Sequence, residues 1–126
     1  MASLVVPVTF TGPKGKATIP TLIDTGAEMS LIPQDVAKKI GTPVYGEVSV
    51  KGAGRALVKV GRVSGISVPG SRLCKSGPMM VWIFGKGNIF PGTGIKAILG
   101  FDFMTKARME IAAFTRTKAL RCKGKR

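Results

Sequence analysis

The feature that most constrains the fold of this chain is a turn sequence, Asp-Thr-Gly-Ala at residues 24–27, between two short apolar runs. Leu22-Ile23 precede the turn and Leu31-Ile32 follow it shortly afterwards. Glycine supplies backbone freedom in such a turn, and Asp and Thr side chains can hydrogen-bond to nearby backbone groups. The pattern therefore predicts that Asp24 lies in a tight turn between two buried strands. An ordinary Asx turn would satisfy it, and so would a loop that holds a carboxylate for catalysis.

The rest of the sequence favours a single, mostly β domain with many turns. Seventeen Gly and eight Pro are spread among short apolar runs with little helical periodicity. A length of 126 residues is enough for one domain with its own core. A short helix is predicted over residues 34–40, after Pro33 and with Gly41 as its C-terminal cap. Strands are predicted at 4–10, 16–23, 30–32, 44–50, 55–60, 63–68, 79–84 and 108–114.

A glycine-rich segment at residues 51–54 predicts the tip of a β-hairpin. Strand-like runs at 44–50 and 55–60 flank it on either side. A plain structural hairpin would fit this pattern. Glycines at the tip would also permit motion and a close approach of the backbone to a ligand.

The sequence excludes several kinds of catalysis. It contains no histidine, which removes Ser-His-Asp and Cys-His mechanisms and the usual zinc sites, and we expect no cofactor and no metal. Cys74 and Cys122 are too few for a disulfide framework, so free thiols in a reducing compartment are expected. No apolar run approaches the roughly 20 residues of a membrane span, and the N-terminus lacks the features of a signal peptide. We therefore expect a cytoplasmic protein without a membrane partner.

The charge of the chain is strongly positive, with twenty Lys and Arg against six Asp and Glu and a formal net charge of +14. Solubility is one explanation, and a negatively charged partner such as nucleic acid is another. The basic residues cluster only at residues 115–126, which are predicted to form a solvated tail that could contact nucleic acid non-specifically. One Trp and one Tyr leave little for a base-stacking platform.

A second motif, Ile98-Leu99-Gly100, stands far downstream and precedes a predicted short helix over residues 101–106. The two motifs in this order, with the glycine-rich hairpin between them, resemble the retropepsin-like aspartic proteases. Ile98-Leu99-Gly100 followed by Phe-Asp-Phe-Met is especially similar to the retrotransposon and Ddi1-type members. The resemblance covers about residues 5–113. It implies a mostly β, single-lobe acid protease barrel with one or two short helices over residues 1–114, and a basic tail at 115–126.

The resemblance also implies a mechanism. In these enzymes two carboxylates lie close together and share one proton, and the pair activates a water molecule against the scissile carbonyl. One Asp-Thr-Gly per chain implies that the second Asp24 comes from a second copy, so a homodimer is expected. The implied activity is that of an aspartic endopeptidase. Its substrate would be an extended peptide or a polyprotein, in a cellular, viral or retroelement setting.

Roles for individual residues follow from the same resemblance. Asp24 would be the catalytic carboxylate, Thr25 and Gly26 would complete the active-site loop, and the hairpin tip would be a flap over the bound peptide. The substrate-binding residues that it implies are Ala27, Glu28, Met29, Leu31, Lys51, Gly52, Ala53, Gly54, Arg55 and Ile98. Ordinary core packing is the alternative for Leu31 and Ile98.

Two residues after the second motif differ from a simple catalytic pattern. Phe101 stands where many retroviral members have an Arg, so an Arg-to-acid bond that braces Glu28 is not expected. Asp102 has no Thr-Gly after it, and a helix N-cap or a structural partner is the predicted role.

Two other functions fit the sequence. One is a catalytically silent peptide-binding or dimerisation module on the same fold. The other is a basic nucleic-acid-binding β domain, whose binding would depend steeply on salt and would survive Asp24→Asn. Peptide cleavage separates the endopeptidase from both.

Overall fold

The computed structural model describes residues 4–24, 26–52, 54–70, 74–85, 92–107, 109–111 and 120–122. Within these ranges the chain forms short helices and many strands. The helices are α1 (Gln34–Ile40) and α2 (Phe101–Ala107). The strands are β1 (Leu4–Gly12), β2 (Gly15–Ile23), β3 (Leu31–Pro33), β4 (Val44–Gly52), β5 (Gly54–Val63), β6 (Gly65–Ser67), β7 (Lys75–Ser76), β8 (Met79–Phe84), β9 (Ala97–Leu99), β10 (Met109–Ile111) and β11 (Leu120–Cys122).

Nine of these strands form one sheet, in the order β4-β5-β8-β3-β9-β2-β1-β6-β7. The hairpins β1–β2 and β4–β5 are antiparallel, whereas β2 pairs with β9 and β3 pairs with β8 in parallel. Strands β10 and β11 form a separate antiparallel pair. The mostly β architecture with two short helices is confirmed. In the part of the chain that the structure describes, β4 and β7 end the strand order, so the large sheet is open rather than a closed barrel.

Helix α1 has the bounds that the sequence predicts. It ends at Gly41, whose φ of 73° is a left-handed conformation that favours glycine. The turn between β1 and β2 packs on this end of the helix, because the Lys14 N–H donates to the Ile40 carbonyl oxygen at 2.9 Å. Each described helix has seven residues, and neither is long and apolar enough to cross a membrane.

The core lies between one face of the sheet and the two helices. Its fully buried members come from both sequence motifs as well as from the outer strands, and they include Val8, Phe10, Ile32, Ile40, Val81, Leu99 and Phe103. Leu99 and Phe103 are four residues apart, so the second motif anchors both β9 and the start of α2 in the core. The Asp24 loop and the start of α2 therefore lie next to a packed core.

One cysteine prediction is wrong. Cys74 is fully buried and disulfide-bonded, so it is not the free thiol that the sequence suggested. The sequence contains one other cysteine, Cys122, in β11. Nothing local in the sequence signals that Cys74 forms a disulfide bond. The argument from free thiols to a reducing compartment therefore no longer holds.

The segment predicted as a solvated tail contains one short strand. β11 pairs with β10, with Ile111 opposite Leu120 and Met109 opposite Cys122. Residues 120–122 of the predicted tail therefore form a β-strand. The division of the chain at residue 114 stays a prediction.

Candidate active site

Asp24 lies at the carboxyl ends of two neighbouring parallel strands, β2 and β9. Its backbone N–H donates to the carbonyl oxygen of Leu99, the last residue of β9, at 3.1 Å. The Ala27 N–H closes the turn on the Asp24 carbonyl oxygen at 3.2 Å. The carboxylate oxygen Oδ1 accepts the Gly26 N–H at 2.9 Å, and the side chain is half-buried. The loop thus fixes one oxygen of a carboxylate that solvent can still reach.

The two sequence motifs meet at Gly100. A Cβ atom on this residue would lie 2.7 Å from the Ala27 carbonyl oxygen and 2.8 Å from the Met29 carbonyl carbon. Only glycine fits where two backbones approach so closely. The Phe101 N–H then donates to the same Ala27 oxygen at 2.7 Å. The end of β9 therefore holds the Asp24 loop through close backbone contacts.

A side-chain network joins the same loop to helix α2. The Asp102 carboxylate accepts the Ser30 N–H at 3.0 Å and the Ser30 hydroxyl at 2.8 Å. It also accepts the Phe103 N–H at 2.8 Å, while the Ser30 Oγ accepts the Gly100 N–H at 3.0 Å. Asp102 lies in the first turn of α2, after Phe101, so it is not the N-cap. The other predicted role, a structural partner, is confirmed.

A row of apolar side chains crosses the face of the sheet opposite the core. The cross-strand partners run Val5–Leu22, Leu22–Ile98, Ile98–Leu31, Leu31–Trp82 and Trp82–Val60. Partners in register lie on the same face of a sheet. These six side chains, which we call the apolar row, are half-buried or exposed. Their neighbours along the strands, among them Ile23, Ile32, Ile83 and Leu99, are buried in the core.

The apolar row runs beside Asp24, since Leu22 stands two residues before it on β2. Leu31 and Ile98, predicted as either pocket or core residues, are direct partners and only half-buried, and their role as pocket residues stays a prediction. Sequence reasoning missed Val5, Leu22, Val60 and Trp82. No sequence signal distinguished Trp82, because β8 is apolar at every position and only the structure shows that Val81 and Ile83 on either side of it are buried.

The predicted hairpin is confirmed as β4–β5, with Lys51 opposite Arg55 and Gly52 opposite Gly54. Ala53 at its tip lies outside the described residues. Val48 and Val58 are partners further down the hairpin, and Val58 lies on the same face as Val60 of the apolar row. The hairpin therefore extends the apolar surface towards the tip. Its role as a flap stays a prediction.

The other predicted site residues differ in their exposure to solvent. Gly26 and Glu28 are exposed, and Ala27 and Met29 are half-buried. Thr25 lies outside the described residues. Asp24, Gly26, Ala27 and Met29 share one loop, and the strands that flank this loop bring Leu31 and Ile98 beside it. The hairpin-tip residues belong to a different strand pair, β4–β5, at one end of the sheet order.

Comparison with known proteins gives the family. The family model described as aspartyl protease matches residues 6–103, which include both motifs and the hairpin. The retroviral protease-like domain of Ddi1 from Leishmania major is similar in structure, with 18% identity, a TM-score of 0.65, and coverage of 98% of this chain and 90% of that one. EIAV protease in complex with the inhibitor HBY-793 is also similar, with 18% identity, a TM-score of 0.56, and coverage of 82% and 86%. No curated protein matched the chain. The chain belongs to the aspartyl protease family and has a retropepsin-like fold.

Proposed function

We propose that this chain is an aspartic endopeptidase, active as a homodimer in which each copy contributes one Asp24. The observation that carries the proposal is the loop geometry at Asp24. The Gly26 N–H donates to one oxygen of the carboxylate at 2.9 Å. Leu99 and Gly100, at the end of β9, contact the backbone of the loop. A rigidly placed, solvent-accessible carboxylate beside an apolar surface suits the hydrolysis of peptide bonds.

The reaction would use the two Asp24 carboxylates as one unit. Like charges at close range disfavour ionisation of both groups, so the pair shares one proton. The ionised carboxylate takes a proton from water, and the resulting hydroxide attacks the scissile carbonyl carbon. The protonated carboxyl donates a hydrogen bond to the carbonyl oxygen. When the carbon–nitrogen bond breaks, the carboxyl group that took a proton from water gives that proton to the leaving amine. No group other than the pair and a water is needed.

A second copy is needed in this proposal because, among the side chains that the structure describes, no other carboxylate suits the role. Asp102 is engaged by Ser30 and Phe103 through both of its oxygens. Glu28, in the same loop as Asp24, and Glu47, on β4, are both exposed. Asp35 lies on α1, beyond β3. A twofold axis between two Asp24 loops is the simplest arrangement that supplies the second carboxylate.

The proposed substrate is an extended peptide with apolar residues on both sides of the cleaved bond. The apolar row gives such side chains a continuous surface beside Asp24, from Val5 on β1 to Val60 on β5. Extended segments of polyproteins are substrates of this kind. The β4–β5 hairpin would close over the peptide as a flap.

The proposal is tested by exposing a random peptide mixture to the protein between about pH 4 and 7. Products are identified by mass spectrometry. We expect cuts between apolar residues, and we expect a pepstatin-type inhibitor to prevent them. A folded, dimeric protein that makes no cuts at any concentration would instead favour the silent peptide-binding module.

A further inference from the structure

The apolar row continues into a cavity of about 740 Å³ that has no role in the scheme above. Its lining includes Met29, Tyr45, Arg62, Met79, Met80 and Asp102. Met29 belongs to the loop that carries Asp24. Met80 stands two residues before Trp82 on β8, so the two side chains lie on the same face of the strand. Arg62 is the cross-strand partner of Met80, so this part of the lining adjoins the surface that would hold a peptide at Asp24.

The chemistry of the lining is mixed. Three methionines and a tyrosine give an apolar, adaptable surface, because the unbranched methionine side chain adjusts to different shapes. The two charged residues in the lining differ in their availability. Both Asp102 oxygens already accept hydrogen bonds from Ser30 and Phe103, whereas the Arg62 side chain is exposed to solvent. The charged side chain that is available to bind a ligand in this cavity is therefore the cation Arg62.

The position of the cavity sets which part of a peptide could reach it. Three strand spacings separate β2 from β8 in the sheet order β2-β9-β3-β8, or about 14 Å at roughly 4.8 Å each. An extended peptide advances about 3.3 Å per residue. A residue roughly three to five positions from the cleaved bond would therefore lie at the cavity.

We propose that this cavity is an outer substrate pocket that selects an acidic residue next to a large apolar one, with Arg62 binding the carboxylate. Arginine suits this task because its planar guanidinium can bind both carboxylate oxygens at once. The net charge of +14 attracts acidic segments in general, but it does not fix their position along the substrate. The inference rests on the proposed endopeptidase function and names its substrate class more closely.

The test uses one cleaved parent peptide, with each position three to five residues from the cut replaced in turn by Glu, Gln or Lys. The wild-type protein is compared with Arg62→Gln and Arg62→Glu. Lys59→Gln and Lys59→Glu are the matched controls, because Lys59 is an exposed cation on the same strand and is not part of the lining. Each pair of variants changes the net charge equally, so only the location of the charge differs.

We expect the wild type to prefer Glu over Lys by about tenfold in kcat/KM at one of these positions, as for a single charge-assisted contact. Arg62→Gln should abolish the preference and Arg62→Glu should reverse it, while both Lys59 variants keep it. An unchanged preference in Arg62→Gln would overturn the proposal. Equal losses in the Arg62 and Lys59 variants would do the same, since they would show general charge attraction only.

Failure of the proposed function is distinguishable from failure of the pocket. If the wild type cleaves no peptide, the endopeptidase proposal fails, and the pocket is then tested by binding of labelled Glu and Lys peptides, measured by fluorescence anisotropy. An Arg62-dependent difference in Kd is the expected result. Equal Kd values for the two peptides in the wild type would contradict the pocket.

Discussion

Asp24→Asn is expected to lower kcat/KM for peptide cleavage by about 10³-fold or more, because it removes the group that transfers the proton. Asn has nearly the same shape as Asp, and its carbonyl oxygen can still accept the Gly26 N–H that Oδ1 accepts at 2.9 Å. The loop should therefore keep its conformation. In a homodimer both copies carry the change, so neither side of the pair can deprotonate water. Turnover of a purified peptide, circular dichroism and sedimentation velocity together measure activity, folding and assembly.

The matched control for this variant is Asp35→Asn. Asp35 is an exposed acid in the first turn of α1, so its replacement changes the charge by the same amount away from the site. We expect this control to keep activity close to the wild-type value. Undiminished turnover in a pure Asp24→Asn preparation would mean that the chemistry lies elsewhere.

Asp102→Ala is expected to destabilise the fold by about 3 kcal/mol, because it leaves three hydrogen-bond donors without their acceptor. Those donors are the N–H and hydroxyl of Ser30 and the N–H of Phe103. Ser30 is fully buried, so water can replace the lost bonds only in part. The same change releases the loop that carries Asp24, and we expect kcat to fall as well. Urea unfolding at one fixed protein concentration measures the change, since dimerisation would otherwise alter the apparent stability.

Two further variants distinguish the loss of the Asp102 hydrogen bonds from a general effect of removing a negative charge. Asp35→Ala removes an exposed acid of the same type and should cost less than about 1 kcal/mol. Ser30→Ala combined with Asp102→Ala should cost clearly less than the sum of the two single changes, because each single change already breaks their shared bonds. Additive costs, or an Asp102→Ala variant as stable as the wild type, would argue against a positioning role for Asp102.

The parts of the fold that local signals specify could be predicted from the sequence. The α1 bounds followed from Pro33, one apolar face and Gly41, and the bounds of β8 followed from a six-residue apolar run. The hairpin followed from its glycine-rich tip. The meeting of the Asp24 loop with Gly100 was implied only by the family resemblance, since nothing local in either motif points to the other.

The parts that depend on long-range pairing could not be predicted. Ser30 and Asp102 are 72 positions apart, and neither residue type signals the other. The apolar row depends on the order and register of six strands, which periodicity alone does not determine. The disulfide at Cys74 and the strand β11 could not be predicted for the same reason, because each depends on a partner elsewhere in the chain.

The most direct test of the central claim is to mix wild-type and Asp24→Asn protein, allow the copies to exchange, and measure peptide cleavage at constant total concentration. If each active site needs one Asp24 from each of two copies, mixed dimers are inactive and activity follows the square of the wild-type fraction. An equal mixture should then retain roughly a quarter of the wild-type activity. Retention of about half, in proportion to the wild-type fraction after demonstrated subunit exchange, would mean that each copy works alone and would contradict the shared site.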